Sequence, residues 1–333
     1  MNPDHQPSQH SQPQGDHGSQ DIGTSTSDSN AQPVQGAANV ATAFGPSRVV
    51  DRMFPDMGVM SSDQVIFYVH RQHLSRVSTN GFAGLLSSLA TSLFLEERAS
   101  VLNIAFHIMY GMPCAHYSPP LVEIEAALDA LVRYGVNPYF YASPLLPLYE
   151  LLLLHAPYRP IEAYALAGKY SLEEPAVAIS AHLLAYDLST LSDDLAIKIG
   201  PVYLRRLMGL HRDRTNALKA IVLRPLENHT PTLMCGEASQ AQLTQAWAYA
   251  AAELAWDTLP GLSTNTLQTT FEKAATQITC LECQALLHAR IREVCQQWFA
   301  VKVRLSPVQP RRLMGNPQDS TLPSEDNLSG CTG

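Results

Sequence analysis

The sequence has no surplus of positive charge, no long apolar run and no cysteine framework, and each absence removes a class of function. Lys and Arg number 22 against 30 Asp and Glu, a formal net charge of −8 with a pI near 5.8. No overall basic field gathers phosphates or anionic lipid, so generic nucleic-acid binding is disfavoured. The most apolar stretch, "SPLLPLYELLLLHAP" at 143–157, is broken by proline and is shorter than the about 20 apolar residues that span a bilayer. The first thirty residues lack the basic-then-apolar order of a secretory leader. The expectation is a soluble intracellular protein, cytoplasmic or nuclear. The cysteines, Cys114, Cys235, Cys280, Cys283, Cys295 and Cys331, are scattered and outline no disulfide scaffold. G-x-S-x-G, H-E-x-x-H, G-x-x-x-x-G-K-S/T and G-x-G-x-x-G are all missing, which takes away the usual grounds for proposing an enzyme. No catalytic, cofactor-binding or metal-binding residue is assigned.

What is present is a hydrophobic fraction of 46%, ample for a core, distributed unevenly along the chain. Residues 1–51 are dominated by Gln, Ser, Asp, Gly, Pro, Asn and Thr with Phe44 as their only aromatic, and 305–333 have the same character. Such segments bury too little apolar surface to offset chain entropy, so both are expected to be disordered tails. Between them, "DQVIFYVHRQHLSRVSTNGFAGLL" at 63–86 changes rhythm. Val65, Phe67 and Val69 alternate with Ile66, Tyr68 and His70, a strand pattern, and beyond His70 the apolar spacing lengthens to three and four. Two short strands around a turn at Ser61-Ser62-Asp63 form the expected hairpin, and Leu93-Phe94-Leu95 offers a third strand. A compact helix is expected from Phe82 to Leu89. Val101 to Met109 is apolar nearly all round and reads as a buried helix stopped at Tyr110-Gly111. Leu121, Ile124, Leu128 and Leu131 line one stripe of an amphipathic helix that ends at Gly135. Two helices separated near Ser171 follow, the second carrying Val177, Ala181, Leu184 and Leu188, then one over 201–223. After a polar linker, "RPLENHTPTLMCGE", come helices over 238–257 and 267–304.

Three features bear on chemistry. His70 ends a strand and reads as a hydrogen-bonding structural residue, since no partner for a general base is identifiable by spacing. Cys280-Leu-Glu-Cys283 has the spacing that holds two thiolates on one zinc ion. On a continuous helix, however, Cys280, Cys283, Leu287, Ile291, Val294 and Trp298 fall on one apolar stripe, and buried free cysteine packs as a small hydrophobe. The packing reading is preferred; a zinc site would need Cys235, His229 or His288 to arrive by folding. Redox activity is disfavoured because the pair lacks a strand-to-helix junction to activate a thiol. The four arginines of "LRRLMGLHRDR", Arg205, Arg206, Arg212 and Arg214, read as a solvated helix face rather than a phosphate patch.

The order of elements, with particular residues in it, resembles the BTB/POZ family. Asp56 and Val59 in "DMGVMSSD" stand where that family opens an apolar strand with aspartate. Phe67, Val69, His70, Leu74 and Ser78 match F-x-V-H-x-x-x-L-x-x-x-S, with the following aromatic, Phe82, one residue late. Met109-Tyr110-Gly111 resembles the family's I-Y-G step and Arg133-Tyr134-Gly135-Val136 its K-Y-x-V step; "EAYALAGKYSLEEPAVAIS" at 162–180 resembles the start of a BACK-type extension. The resemblance implies an α+β fold: a small sheet covered by helices over 52–155, a BACK-like extension over 156–225, and a C-terminal helical region over 226–304. It implies a noncatalytic interaction protein that associates with itself as a homodimer or recruits other proteins as an adaptor. Family members serve cullin-type ubiquitin ligases or regulate transcription, but no cullin-contact motif matches here residue by residue. The alternative is a nuclear transcription or chromatin regulator with a zinc-assisted C-terminal region.

Overall fold

The two-residue alternation of 57–69 becomes the centre of a four-stranded sheet. In the computed structural model, which describes residues 39–307 apart from 89 and 277, β1 is Asn39–Val40, β2 Met57–Met60, β3 Val65–Val69 and β4 Ser92–Phe94, in the order β1-β3-β2-β4. β2 and β3 form the expected antiparallel hairpin, Met57 opposite Val69 and Met60 opposite Ile66. The turn has no glycine; Gln64 takes the positive φ (63°) instead, and Ser61 Oγ accepts the Val65 N–H. β4 pairs parallel with β2, and β1 parallel with β3. Met57, Val59, Phe67 and Val69 point to one face and are buried.

The helices of the first core follow in order: α1 Arg71–Val77, α2 Ala99–Met109, α3 Leu121–Arg133, α4 Pro147–His155, α5 Pro160–Lys169 and α6 Glu173–Ile179. α2 is buried along almost its whole length, and the Leu121, Ile124, Leu128, Leu131 stripe of α3 is buried against it. The quoted 56–135 residues interlock. Asp56 Oδ1 accepts the Arg71 N–H at the start of α1, and Tyr110 Oη accepts the His70 N–H at 2.9 Å. Ser78 Oγ donates to the Tyr134 carbonyl and accepts the Phe82 N–H, both at 2.7 Å, and Phe82 stacks on Tyr134 with centroids 4.3 Å apart.

α7, Asp193–Val222, is broken at Gly200, where φ is 75°, and restarts at Pro201. Its first part and the following turns, through Leu210, belong to the first core; Leu218 and Val222 belong to a second one built with α8 Glu237–Trp256, α9 Thr264–Ala275 and α10 Leu281–Ala300. Trp247 of α8 stacks on Phe271 of α9 at 4.0 Å. Past α10 the chain returns to the first core, where Leu305 is buried and its N–H donates to Ser180 Oγ at 3.0 Å. Among the described residues no helix is long and apolar enough to cross a membrane.

Several expectations are corrected. Residues 39–51 are not a loose tail: β1 pairs with β3, and Phe44 is fully buried against Phe67, Phe106, His107 and Tyr110. Leu305 likewise leaves the expected C-terminal tail. The rest of both expected tails, residues 1–38 and 308–333 with Cys331, lies outside the described residues. The Phe82–Leu89 helix is replaced by a turn with positive φ at Phe82 and Ala83 and a short 3-10 turn, Leu85–Ser87, because Ser78 Oγ and Asn80 Oδ1 take the Phe82 and Ala83 N–H groups. The second helix after Ser171 ends at Ile179 and continues as a 3-10 turn, Ser180–Leu183. The helix expected over 267–304 is two helices, Thr264–Ala275 and Leu281–Ala300.

Two measurements check this packing. Phe44→Ala should destabilise the folded chain by about 3–5 kcal/mol in denaturant unfolding, the cost of emptying a buried aromatic site; a change near zero would show that 39–51 lie outside the cooperative unit. Glu125 of α3 accepts from Lys198 of α7 at 2.6 Å and Lys169 of α5 at 3.0 Å. Burial raises its pKa, but the two lysines outweigh that and hold it below the ordinary 4.5. Its stabilisation is therefore present above that value and is lost as pH falls. Glu125→Gln should lower Tm at pH 7, and the gap to wild type should close as pH drops below about 4.5 in a thermal series.

Candidate functional site

Two places carry more than packing. The first is the outer face of the sheet, where side-chain alternation puts Gly58, Met60, Ile66, Tyr68, Ser92 and Phe94 opposite the core. The face bounds an open groove of about 670 Å³. Phe94 is 59% exposed and Met60 38%, so an aromatic and a thioether stand in water on a sheet whose other side buries Met57, Val59, Phe67 and Val69. Among the described residues β4 is an edge strand, with no further strand on its outer side.

The second lies in the other core. The segment read as a polar linker folds back in a tight turn, with Thr232 and Cys235 exchanging backbone hydrogen bonds at 3.0 and 3.2 Å. That turn carries His229 and Cys235 to the start of α10, where Cys280 is the N-cap and Cys283 lies in the first turn. His229 Nε2 is 3.5 Å from Cys280 Sγ and 3.3 Å from Cys283 Sγ, and Cys235 Sγ is 3.6 Å from Cys283 Sγ. All four donor atoms lie within 4.8 Å of one another. Cys235 and Cys283 are buried, and the side chain of His229 is 9% exposed.

The imidazole is oriented for this role. Nδ1 donates to the Thr230 carbonyl at 2.7 Å, with Glu282 Oε2 also 3.2 Å away, which leaves the Nε2 lone pair aimed at the sulfurs. Gln240 Nε2 donates to the His229 carbonyl at 2.9 Å and holds the loop. The thiols differ in environment. Cys280 is lowered to about 7, chiefly by the Cys283 N–H at the α10 N-terminus, with Cys235 and His229 adding to it. Burial pushes Cys283 up to about 12 and also raises Cys235.

These positions revise the reading of the sequence. Cys283, Leu287, Ile291, Val294 and Trp298 do form the buried stripe of α10, but Cys280 caps the helix rather than continuing the stripe, so its thiol sits where a loop, not a strand, enters the helix. Of the three further ligands considered, His229 and Cys235 arrive; His288 is exposed on α10. The arginine segment is a solvated face only in part. Arg206 forms a two-pronged ion pair with Glu173 at 2.7 and 2.8 Å, and Arg214 is buried over the Trp298 ring, donating to the carbonyls of Pro260, Val301 and Lys302. Arg205 and Arg212 remain outside. His70 is buried, with Nδ1 3.1 Å from Tyr110 Oη and Nε2 3.1 Å from the Met53 carbonyl, a structural setting. The outer sheet face was legible as the Ile66, Tyr68 alternation, but its exposure was not. No family model, curated protein or solved structure matches this chain.

Proposed function

We propose that this chain is a noncatalytic protein-interaction module, BTB/POZ-like over 52–155 with BACK-like helices behind it, acting inside the cell by self-association or partner recruitment. The observation that carries the reading is the outer sheet face: Met60 and Phe94 exposed beside Ile66 and Tyr68, next to the edge strand β4 of the described sheet. An aromatic and flexible apolar side chains around a shallow groove are the composition of an interface centre, and a stable complex buries on the order of 1,200–2,000 Å² around it. The interlocked Phe67, Leu74, Ser78, Phe82 and Tyr134 set supports the family resemblance, because each quoted residue has a packing or hydrogen-bonding task. The second reading, a nuclear regulator with a zinc-assisted C-terminal region, is favoured by the cluster around Cys283. Against a direct grip on phosphate stands the inward placement of Arg206 and Arg214.

The test is light scattering and affinity capture with the full chain, beside a Met60→Asp/Phe94→Asp variant. The wild type should form a dimer or hold a defined protein, and the variant should lose that association with its Tm unchanged. A wild-type monomer that holds nothing the variant fails to hold would overturn the proposal.

A further inference from the structure

We propose that His229, Cys235, Cys280 and Cys283 form a structural zinc site that fastens the loop after α7 to the start of α10. This inference is independent of the sheet face and of the interaction reading. It rests first on distance. Zinc lies about 2.3 Å from a thiolate and about 2.0–2.1 Å from an imidazole nitrogen, so a tetrahedron about it puts neighbouring sulfurs about 3.8 Å apart and sulfur about 3.6 Å from nitrogen. The observed separations are 3.6 Å between Cys235 and Cys283, and 3.5 and 3.3 Å from His229 Nε2 to Cys280 and Cys283. The remaining pairs lie within 4.8 Å, so closing on an ion asks the wider ones to contract by at most about 1 Å.

The chemistry of the donors agrees. Three soft sulfurs and one imidazole are a set that zinc takes in closed structural sites, where all four positions belong to the protein and none is left for substrate. The imidazole already holds its outer proton against the Thr230 carbonyl, the second contact that a ligating histidine makes. The α10 N-terminus faces the sulfurs and favours the negative charge that three thiolates would bring. The alternative, four residues packed as core, accounts for the imidazole by a thiol S–H donating to Nε2, but not for three thiols gathered around that one acceptor. Nor does it account for a hydrogen-bonded turn that delivers Cys235 from an otherwise polar loop whose tip, Leu233 and Met234, stands in solvent.

The fold gives the metal a task. The second core is small, and its loop over 226–236 and the residues just before α10 meet at this cluster. Binding would release the protons of the thiols and join segments 45 to 54 residues apart, so ligand binding becomes folding free energy for this part of the chain.

Metal content of the purified full chain, expressed with zinc in the medium, should be one zinc ion per chain, and X-ray absorption should report three sulfurs near 2.3 Å and one nitrogen near 2.0–2.1 Å. Cobalt(II) titrated into chelator-treated wild type should give the intense visible bands of a tetrahedral thiolate complex, saturating at one equivalent. His229→Ala or Cys235→Ser should weaken zinc binding by more than the roughly 10–100-fold that loss of an outer-shell partner costs, and Cys280→Ser/Cys283→Ser should abolish it. His288→Ala and Cys295→Ser, outside the cluster, should retain the metal. Should the double variant fail to fold, the wild-type cobalt spectrum still decides. The proposal is overturned by a folded wild type that takes up neither metal at one equivalent, by a Cys235–Cys283 disulfide in place of metal, or by full zinc occupancy in the double variant.

Discussion

At Gly168 the α5 backbone runs so close to α7 that an added Cβ would stand 2.4 Å from the Ile199 carbonyl oxygen. Only glycine permits that approach, and Gly200 beside it supplies the positive φ that breaks α7 and lets it restart at Pro201. This crossing fixes the direction of the one helix that both cores share. Above it, Tyr203, Leu207 and Leu210 close the first core, with Tyr164 Oη donating to the Tyr203 carbonyl at 2.9 Å; below it, Leu218 and Val222 begin the second. Arg214 occupies the joint between them. Its guanidinium satisfies three carbonyls from the loop before α9 and the chain after α10, which suits a cation that could not otherwise be buried.

The two cores are held by different means. The first has a sheet, six helices and most of α7 contributing aliphatic and aromatic side chains, and the outer sheet face leaves Met60 and Phe94 exposed. The second has three helices, one stacked aromatic pair and the ends of loops that carry His229, Cys235 and Cys280. A core of that size gains from an additional fastening, and the thiol and imidazole donors lie where two of its irregular segments meet. The proposed interaction face and the proposed metal site thus belong to different cores of one chain, linked by α7 and by the return of Leu305 to the first core.

How much of this could be read from residue order follows from the range of the interactions. The hairpin, α2 and the α3 stripe were legible because alternation and helical periodicity are local, and each is buried as its pattern requires. The place of Phe44 was not, since one aromatic in a polar stretch gives no periodic signal and its partners Phe67 and Phe106 lie far along the chain. The turn at Phe82 was hidden because Ser78 and Asn80 compete for backbone N–H groups, an effect that apolar spacing does not register. The cluster was half legible. Cys280 and Cys283 stood out by spacing, but His229 and Cys235 come from a segment whose composition suggested a linker, and only the fold joins the halves. The arginine segment misled for the same reason: the carbonyls that bury Arg214 come from residues 46 to 88 positions away.

The central claim is that one shared helix joins a self-sufficient core to a smaller one completed at the His229 and cysteine cluster. Hydrogen exchange on the full chain, with zinc and after chelation, tests it most directly. The account predicts that chelation strips protection from α8, α9 and α10 while the amides of β2, β3, α2 and α3 keep theirs. Protection unchanged throughout, or lost equally in both cores, would contradict it.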